Sequence, residues 1–469
     1  MRRVSSRIAA SILSFFLLLS DFSMPLPTIP PELISRILFE SIGIHQCLEL
    51  STLFPSWSDY ASANFPHILL RRFTITNAFE RAMAYDRIDV ALQLLDLTVP
   101  GSFNYDALLT QSVIGGHTDL VRAIVQTPRF AAGTIPNSGD SELLIEAAEN
   151  GHTEIVRLFL EAPVNPAHAN CQGGRALVPA AAGGHTEIVR LLLESPQHAA
   201  RADCQRGLAL VEAAEGGHME VARLLLSAPI HPARADCLKG LALEAAARGG
   251  QIEVAKLLIG YPEHAARADC RRVLVDAAEG GHIETVRLLL SAPIHPARAD
   301  CLNGLALIEA AFGGHTEVAK LLIGYPDHPA HADCQRGRAL ARAAGEGHID
   351  TVRFLMEAPA HHARADDPYG ALLRAAYRGH TEVVRLLLSA PVYPARADDQ
   401  MAALLRAAEG GHTEVVRLLL SAPVHPTHTD CLGGAALMEA FRRQRGLALE
   451  LARQGGHIEV AKLLLRFGG

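Results

Sequence analysis

The stretch Gly184-His185-Thr186-Glu187-Ile188-Val189-Arg190-Leu191 decides the fold, because the same phrase recurs along the chain with small changes. Its histidine is present in ten units, and Gln251 stands in the equivalent place in one more. The ten histidines are His117, His152, His185, His218, His282, His315, His348, His380, His412 and His457. Neighbouring copies lie 31 to 35 residues apart, except for the last spacing of 45 residues. A sustained period of this length predicts a repeat array in which each unit packs mainly on its neighbours.

Each unit is predicted to form two short helices and a loop. In the unit around His218, apolar residues from Leu208 to Ala214 favour a first helix, and Gly216-Gly217 end it because glycine readily adopts a left-handed conformation. The predicted buried side of the second helix is Val221, Leu224, Leu225 and Leu226. Neither helix is long enough to be stable alone in water, so stacking must supply the core. With a degenerate copy at residues 85–90, the array has about twelve units.

The composition narrows the class of protein. The chain has 469 residues, of which 49% are hydrophobic, so it has enough apolar side chains for a sizeable core. A net charge of −7 argues against nucleic acid as a partner, because phosphate binding needs a basic field. No run of about 18 apolar residues is present, so the sequence predicts no membrane span.

The first 23 residues allow three readings. A basic start precedes an apolar run from Ile8 to Leu19, which is the pattern of a secretory signal or anchor. The absence of acidic residues before Asp21 also suits a transit peptide. In the third reading, translation starts at Met24 and the extension is unused. We therefore expect a cytoplasmic or nuclear protein, or one in the secretory pathway if residues 1–20 act as a signal.

The repeating unit resembles the ankyrin repeat. The resemblance is carried by a period of 33 residues, an Ala-Ala pair, Gly-His, Glu-Val-Val and three successive leucines. It covers residues 77–469 and implies an all-α solenoid of helix pairs joined by short β-hairpin-like loops. The family's Thr-Pro-Leu-His at the first helix is replaced, for example by Leu208-Ala209-Leu210-Val211, which leaves the geometry of the helix start open.

The ankyrin resemblance also implies where a partner binds. In such proteins, partners occupy the concave face that the loop tips and the first helices form. The candidate partner-binding residues at the tips are Gln205, Arg206, Leu238, Lys239, Arg271, Arg272, Leu302, Asn303, Gln335 and Arg336. These positions vary from unit to unit, while the Leu and Ala positions hardly vary. Such a difference is typical of exposed positions compared with core positions. The arginines among them favour an acidic partner segment, because guanidinium groups form charge-assisted hydrogen bonds.

Residues 24–60 lie outside the period, and residues 61–76 connect them to the array. This head resembles the F-box, a three-helix module that docks on the Skp-type adaptor of cullin ubiquitin ligases. The matching parts are Pro30, Glu32-Leu33, Arg36-Ile37-Leu38 and Trp57. The resemblance implies adaptor binding by Pro30, Glu32, Leu33, Ile37, Leu38 and Trp57. The alternative is a small helical module that only caps the solenoid, since the end of a repeat array needs a polar cap.

No catalytic constellation, cofactor or metal site is predicted. Seven of the eight cysteines lie in repeat loops, and no Cys-x-x-Cys is present. Equivalent positions of stacked units lie about 10 Å apart, which is too far for a disulfide. Two units have Asp367 and Asp399 in the cysteine position, which predicts that this position is exposed. The Gly-His histidines are predicted to bond neighbouring backbone, because a catalytic base belongs to one pocket with one partner.

The sequence therefore predicts a protein–protein interaction protein without enzymatic activity. The first hypothesis is an F-box/ankyrin substrate receptor of a cullin-type ubiquitin ligase, with chemistry left to the recruited ligase. The second is an ankyrin scaffold with no link to a ligase. The third is a secreted or membrane-anchored ankyrin effector.

Overall fold

The structure is a computed structural model. It describes residues 78–79, 82–83, 88–96, 105–126, 142–162, 166–196, 198–262, 264–267, 272–358, 363, 370–390, 397–422 and 433–466. The chain divides into two compact units, residues 1–167 and 168–469. The extension 1–23, the F-box-like head 24–60 and the connecting segment 61–76 lie outside the described residues.

The described part of the first unit consists of helices in two layers. They are α1 (Ile88–Asp96), α2 (Tyr105–Ile114), α3 (Thr118–Gln126), α4 (Glu142–Glu149) and α5 (Thr153–Leu160). Helices α2 and α4 are first helices of their repeats and pack on one another, while α3 packs between α1 and α5. Helix α1 therefore takes the place of a second helix, as the degenerate copy at residues 85–90 predicts.

The second unit continues the same alternation. Its helices are α6 (Leu177–Ala182), α7 (Thr186–Glu194), α8 (Leu208–Glu215), α9 (Met219–Leu226), α10 (Cys237–Arg248), α11 (Ile252–Gly260), α12 (Val273–Glu279), α13 (Ile283–Leu290), α14 (Cys301–Phe312), α15 (Thr316–Gly324), α16 (Cys334–Glu346), α17 (Ile349–Glu357), α18 (Ala371–Arg378), α19 (Thr381–Leu388), α20 (Ala397–Glu409), α21 (Thr413–Ser421), α22 (Gly433–Gln454) and α23 (Ile458–Arg466). Even-numbered helices are first helices and odd-numbered ones are second helices. Each first helix packs on the next first helix, and each second helix on the next second helix. The predicted all-α, helix-pair solenoid is confirmed.

The repeat formed by α8 and α9 shows why these residues form these elements. The buried residues of α8 are Ala209, Leu210, Val211, Ala213 and Ala214. Gly217 ends the hairpin with a φ of 73°, as predicted, whereas Gly216 is right-handed. In α9 the core residues are Val221, Ala222, Leu225 and Leu226. The prediction that Leu224 belongs to this core is wrong: it is half-buried, and the small Ala222 lies inside instead.

Alanine pairs form the contact between successive first helices. The pairs at 213–214, 246–247, 277–278, 310–311 and 343–344 are all completely buried. A methyl side chain lets neighbouring helix axes approach closely, so the stack needs few large side chains. This packing accounts for a chain with many alanines and only 5% aromatic residues.

The loops between repeats contain no strand in the part of the chain that the structure describes. Each loop instead folds back on its own second helix, as where the Ala233 N–H donates to the Leu225 carbonyl at 2.9 Å. Adjacent loops are then joined by single backbone hydrogen bonds, such as the one from Asp203 N–H to the His231 carbonyl at 3.2 Å. The β-hairpin-like loops expected from the resemblance are thus linked side by side without a ladder.

Helix α22 accounts for the spacing of 45 residues before His457. The excess residues belong to one helix of 22 residues rather than to a longer loop. It packs on the preceding first helix, α20, and on its own second helix, α23. Neither α22 nor any other described helix is long and apolar enough to cross a membrane.

Candidate functional site

Eight of the ten predicted tip residues lie on left-handed turns at the starts of α8, α10, α14 and α16, whereas Arg272, before α12, has a φ of −109°. Leu238, Lys239 and Gly240 have φ angles of 49°, 61° and 86°. The same turn recurs at Gln205-Arg206, Leu302-Asn303 and Gln335-Arg336, each followed by glycine. A left-handed backbone costs a non-glycine residue about 1–2 kcal/mol, so the surrounding loop must hold these turns in place.

Most of the predicted partner-binding residues are exposed. The exposed ones are Gln205, Arg206, Lys239, Arg272, Leu302, Asn303 and Arg336, while Leu238 and Gln335 are half-buried. Arg271 lies outside the described residues. The Gln335 amide donates to the carbonyl oxygens of Leu302 and Asn303, both at 3.5 Å, so tips of adjacent repeats are in contact. The structure therefore brings the predicted tips together as a row.

An Arg-x-Asp pair holds the loop behind several tips. The Arg201 guanidinium donates two hydrogen bonds of 3.0 Å to the Asp203 carboxylate, and Arg234 does the same to Asp236 at 2.9 Å. These hydrogen bonds hold the pKa of Asp203 and of Asp236 below its usual value. These hydrogen bonds restrain the loops, and a loop that is restrained before its partner arrives lowers the entropy cost of binding.

The cysteines that follow these aspartates are packed inside the loop row. Cys204 is buried and Cys237, Cys301 and Cys334 are half-buried free thiols. The prediction of an exposed position is therefore wrong. The reason is the left-handed glycine of the preceding repeat: Gly304 has no Cβ, and the Cys334 sulfur fills that space and donates to the Gly304 carbonyl at 3.7 Å.

The repeated histidines bond the backbone of the preceding repeat. The Nε2 atom of His218 lies 3.0 Å from the Ala182 carbonyl, and that of His282 lies 2.9 Å from the Arg248 carbonyl. The same contact is made by His152, His315, His348, His380, His412 and His457. The structural role predicted for these side chains is confirmed.

One set of first-helix residues escaped the sequence-based prediction. The residue directly before the Ala-Ala pair of each first helix forms a column on the first-helix face. From α8 to α20 this column reads Glu212, Ala245, Asp276, Glu309, Arg342, Arg374 and Arg406. Ala245 and Asp276 are buried, and the other members are half-buried or exposed. The column changes from acidic to basic between α14 and α16. Its fixed distance from the Ala-Ala pair was a usable signal, but only the packing of the helices identifies which side faces outward.

The basic end of this column lies in a groove on the first-helix face. The groove has a volume of about 640 Å³ and runs across α14, α16, α18 and α20. We call it the arginine groove, and its defining residues are Arg342, Arg374, Tyr377, Arg378 and Arg406. The groove also contains Phe312, whose ring centroid lies 4.6 Å from the Arg342 guanidinium carbon in a cation–π contact.

Carboxylates of the first helices orient several of these arginines. Arg378 pairs with Glu346, and Arg342 Nη2 lies 4.0 Å from Glu309 Oε1. Arg406 Nη1 lies 2.8 Å from Glu409 Oε2. No group of metal-ligating side chains occurs among the described residues. The six predicted adaptor-binding residues, Pro30, Glu32, Leu33, Ile37, Leu38 and Trp57, lie outside the described part of the chain.

Stacked helix pairs that present loop tips and first helices on one face define a repeat protein of the interaction class. A family model described as Ankyrin repeats (3 copies) matches the chain at residues 109–206, 144–237, 242–335, 274–367, 340–430 and 372–468. These matches cover well over half of the sequence, and the chain belongs to the ankyrin-repeat family. Its repeats are protein–protein interaction modules. A search of curated proteins found no match.

Proposed function

We propose that the chain binds a protein partner on the face formed by its loop tips and first helices, and presents that partner to a ubiquitin ligase. The observation that supports the binding face is the row of exposed, left-handed tips, which are ordered by Arg-Asp pairs and by hydrogen bonds between adjacent loops. Exposed residues in a fixed backbone are the arrangement that specific recognition needs.

The second helices, on the opposite face, support the same binding face because their own surface is uniform. On the second helices, an acidic residue in the first turn pairs with a basic residue three positions later in nearly every repeat. Examples are Glu187 with Arg190, Glu253 with Lys256 and Glu317 with Lys320. A surface that repeats one charge pattern offers a partner little to distinguish one repeat from the next. The tips and first helices differ between repeats and therefore carry the specificity.

Site-specific photo-cross-linking of the full-length chain in cells tests the binding face. A photoreactive side chain at Asn303, on a tip, is expected to form discrete protein adducts. The matched position is Arg287 on the second helix α13, which is similarly exposed and is expected to form none. Adducts from Arg287 but not from Asn303 would place the partner on the other face and refute the proposal.

The ligase link rests on the head alone. Pro30, Glu32-Leu33, Ile37 and Trp57 match the F-box pattern, in which apolar side chains of a short helical module dock on the Skp-type adaptor. The proposed substrate receptor then joins two functions in one chain, because the head binds the ligase and the solenoid binds the protein to be modified. The competing hypotheses have the same solenoid but no link to a ligase. In them, the chain is a scaffold whose head is only a cap, or a secreted or membrane-anchored effector.

A pull-down of the full-length chain with the purified Skp-type adaptor tests the link. We expect binding by the parent protein and loss of binding in Leu33→Asp and in Ile37→Asp. Leu302→Asp, the same kind of change at an exposed tip, is the control and is expected to bind like the parent. Binding that survives both head substitutions, or no binding by the parent, would overturn the receptor hypothesis in favour of a scaffold.

A further inference from the structure

We propose that the arginine groove binds a short, extended, acidic segment of a partner protein. This inference rests on the proposed binding face and narrows it to three successive first helices, α16, α18 and α20. The tip arginines already favour an acidic partner, and the groove adds where on the first-helix face such a segment would lie.

The guanidinium groups form more of the surface of the groove than the carboxylates do. The Arg378 side chain is 50% exposed while its partner Glu346 is 25% exposed, and Arg342 is 34% exposed against 18% for Glu309. Glu346 and Glu309 thus lie beneath these two arginines and hold them in place. At the α20 end of the groove, Glu409 is 45% exposed beside Arg406, which is 52% exposed. Ion pairs at such exposed sites contribute about 0–1 kcal/mol, so a partner carboxylate can share or replace them without a large loss.

An aromatic side chain lies among the arginines. Tyr377 is 54% exposed, and its backbone carbonyl accepts a hydrogen bond of 2.9 Å from His412 Nε2. This hydrogen bond holds the backbone at Tyr377 in place, while its ring stays open to solvent. Tyrosine and arginine are the residue types most enriched at the centres of protein interfaces, and here they occur side by side.

Charge along the rest of the first-helix face limits the length of the ligand. The first helices from α8 to α14 carry Glu212, Glu215, Glu244, Asp276, Glu279 and Glu309 against Lys239 and Arg248, and Arg272 lies directly before α12. In contrast, α16, α18 and α20 carry six arginines against four acidic residues: Arg336, Arg338, Arg342, Arg374, Arg378 and Arg406 with Glu346, Asp398, Asp399 and Glu409. A long polyanion that followed the whole face would meet repulsion beyond the groove. This pattern favours a short acidic peptide over a nucleic acid.

The spacing of the helices sets the expected size of the segment. Packed helices lie about 8–10 Å apart, so the first and third helices of the groove are separated by about 20 Å. An extended chain advances about 3.3 Å per residue, so about six residues cross the groove. Acidic side chains on alternate residues of that segment point to the same side and can meet the arginines of successive helices.

Fluorescence anisotropy with a labelled hexaglutamate peptide and the full-length protein tests the inference. The double variant Arg374→Glu/Arg406→Glu is expected to weaken peptide binding at least tenfold. It is expected to fold, because Glu212 and Glu309 occupy the same position in sister repeats. The matched control, Arg190→Glu/Arg287→Glu on second helices, is expected to bind within twofold of the parent. Circular dichroism of both double variants confirms that each is folded.

Three outcomes would overturn the inference. They are retention of hexaglutamate binding in the groove variant, equal loss in both double variants, and tighter binding of a short DNA duplex that the groove variant abolishes. The last outcome would assign the groove to nucleic acid. Failure with hexaglutamate leaves the cross-linking result at Asn303 unaffected, so the proposed binding face and the acidic ligand are judged separately.

Discussion

The histidine at the start of each second helix joins one repeat to the one before it. Its ring packs over the left-handed glycine of the preceding hairpin and bonds a carbonyl at the end of the preceding first helix. Gln251 packs on Gly217 in the same place, but its side chain makes no hydrogen bond to the equivalent carbonyl, that of Glu215, in the described structure. The contact between α8 and α10 therefore lacks one of the bonds that the other repeats have.

Gln251→His is expected to stabilise the protein. Both glycines that accommodate the ring elsewhere are present, at Gly217 in the preceding repeat and at Gly249 in the same repeat, so the imidazole fits without a change in the hairpin. One added hydrogen bond should raise the free energy of unfolding by about 1 kcal/mol, measured from the urea midpoint. His282→Gln is the reciprocal control and should lower it. A midpoint that falls in Gln251→His would contradict this account.

The glycine beneath each ring is expected to be intolerant of a side chain. A Cβ at Gly314 would lie 2.5 Å from His348 Nδ1, and its φ of 73° is unfavourable for any L-residue with a side chain. We expect Gly314→Ala to cost about 1–3 kcal/mol of stability in urea unfolding. Gly324→Ala is the matched control, because nothing lies within 4 Å of the added methyl at the end of α15. Equal effects of the two substitutions would show that the ring contact is unimportant.

The loop thiols are expected to be unreactive in the folded chain. Burial raises the pKa of Cys204 and Cys237 to about 11 and that of Cys334 to about 12. The thiolate is the nucleophile, so alkylation at about pH 8 should be slower by about two orders of magnitude than for a free cysteine. Iodoacetamide labelling followed by peptide mass spectrometry measures each site, with the urea-unfolded chain as the control. Labelling of the folded chain at the unfolded rate would contradict the observed burial.

At the scale of single elements, neighbouring first helices interact through charge as well as through alanine contacts. Glu244 on α10 lies near the buried Asp276 on α12, and Arg248 and Arg272 face the same pair. Burial, followed by the negative charge of Asp276, raises the pKa of Glu244, although the two arginines act in the opposite direction. Asp276 Oδ2 has no hydrogen-bond partner, although Arg248 Nη2 lies 3.6 Å from it, and the two carboxylates repel each other when both are ionised.

Glu244→Gln is expected to stabilise the chain at neutral pH. A carboxyl whose pKa is raised on folding binds its proton more tightly in the folded state. Stability therefore falls as the pH rises from the usual value of the unfolded chain, about 4.3, through the raised pKa of the folded chain. The gain in urea midpoint should be present at about pH 7 and shrink towards about pH 4. Glu253→Gln, which removes an exposed pair with Lys256, should give no gain at either pH.

At the scale of the whole molecule, stability should behave as a sum over neighbouring repeats. Among the described helices of the second unit, every extensive contact joins helices of the same pair or of adjacent pairs. A local defect is then expected to spread to adjacent repeats and fade beyond them.

Leu307→Ala tests this expectation. Leu307 is completely buried in α14, and its truncation should cost about 2–5 kcal/mol. Hydrogen exchange should accelerate in α12 to α17 and change little in α8 and α9. Leu302→Ala, at a tip that is 42% exposed, should change stability by less than about 0.5 kcal/mol. Uniformly faster exchange along the second unit would instead indicate a single cooperative block.

The sequence by itself determined the repeat, the helix pairs and the role of the histidines. These features depend on local spacing: the period of the Gly-His phrase, the 3.6-residue rhythm of apolar side chains and the glycines that end each first helix. It also located the loop tips, because these vary between units while the core positions do not. The second helix α9 shows the limit of this prediction: the sequence pattern assigned Leu224 to the core, whereas the structure buries Ala222. Periodicity defines the buried face of a helix only to within one residue.

The tertiary structure decided the features that depend on contacts between repeats. The left-handed turns at the tips, the burial of Cys204 beside Gly174 and the change from acidic to basic along the first-helix column arise only when one unit packs on the next. Arg342, Arg374 and Arg406 are 32 residues apart in the chain and ordinary on their own helices. They form one groove because stacking places equivalent positions of successive repeats side by side, and no local signal in the sequence encodes that distance.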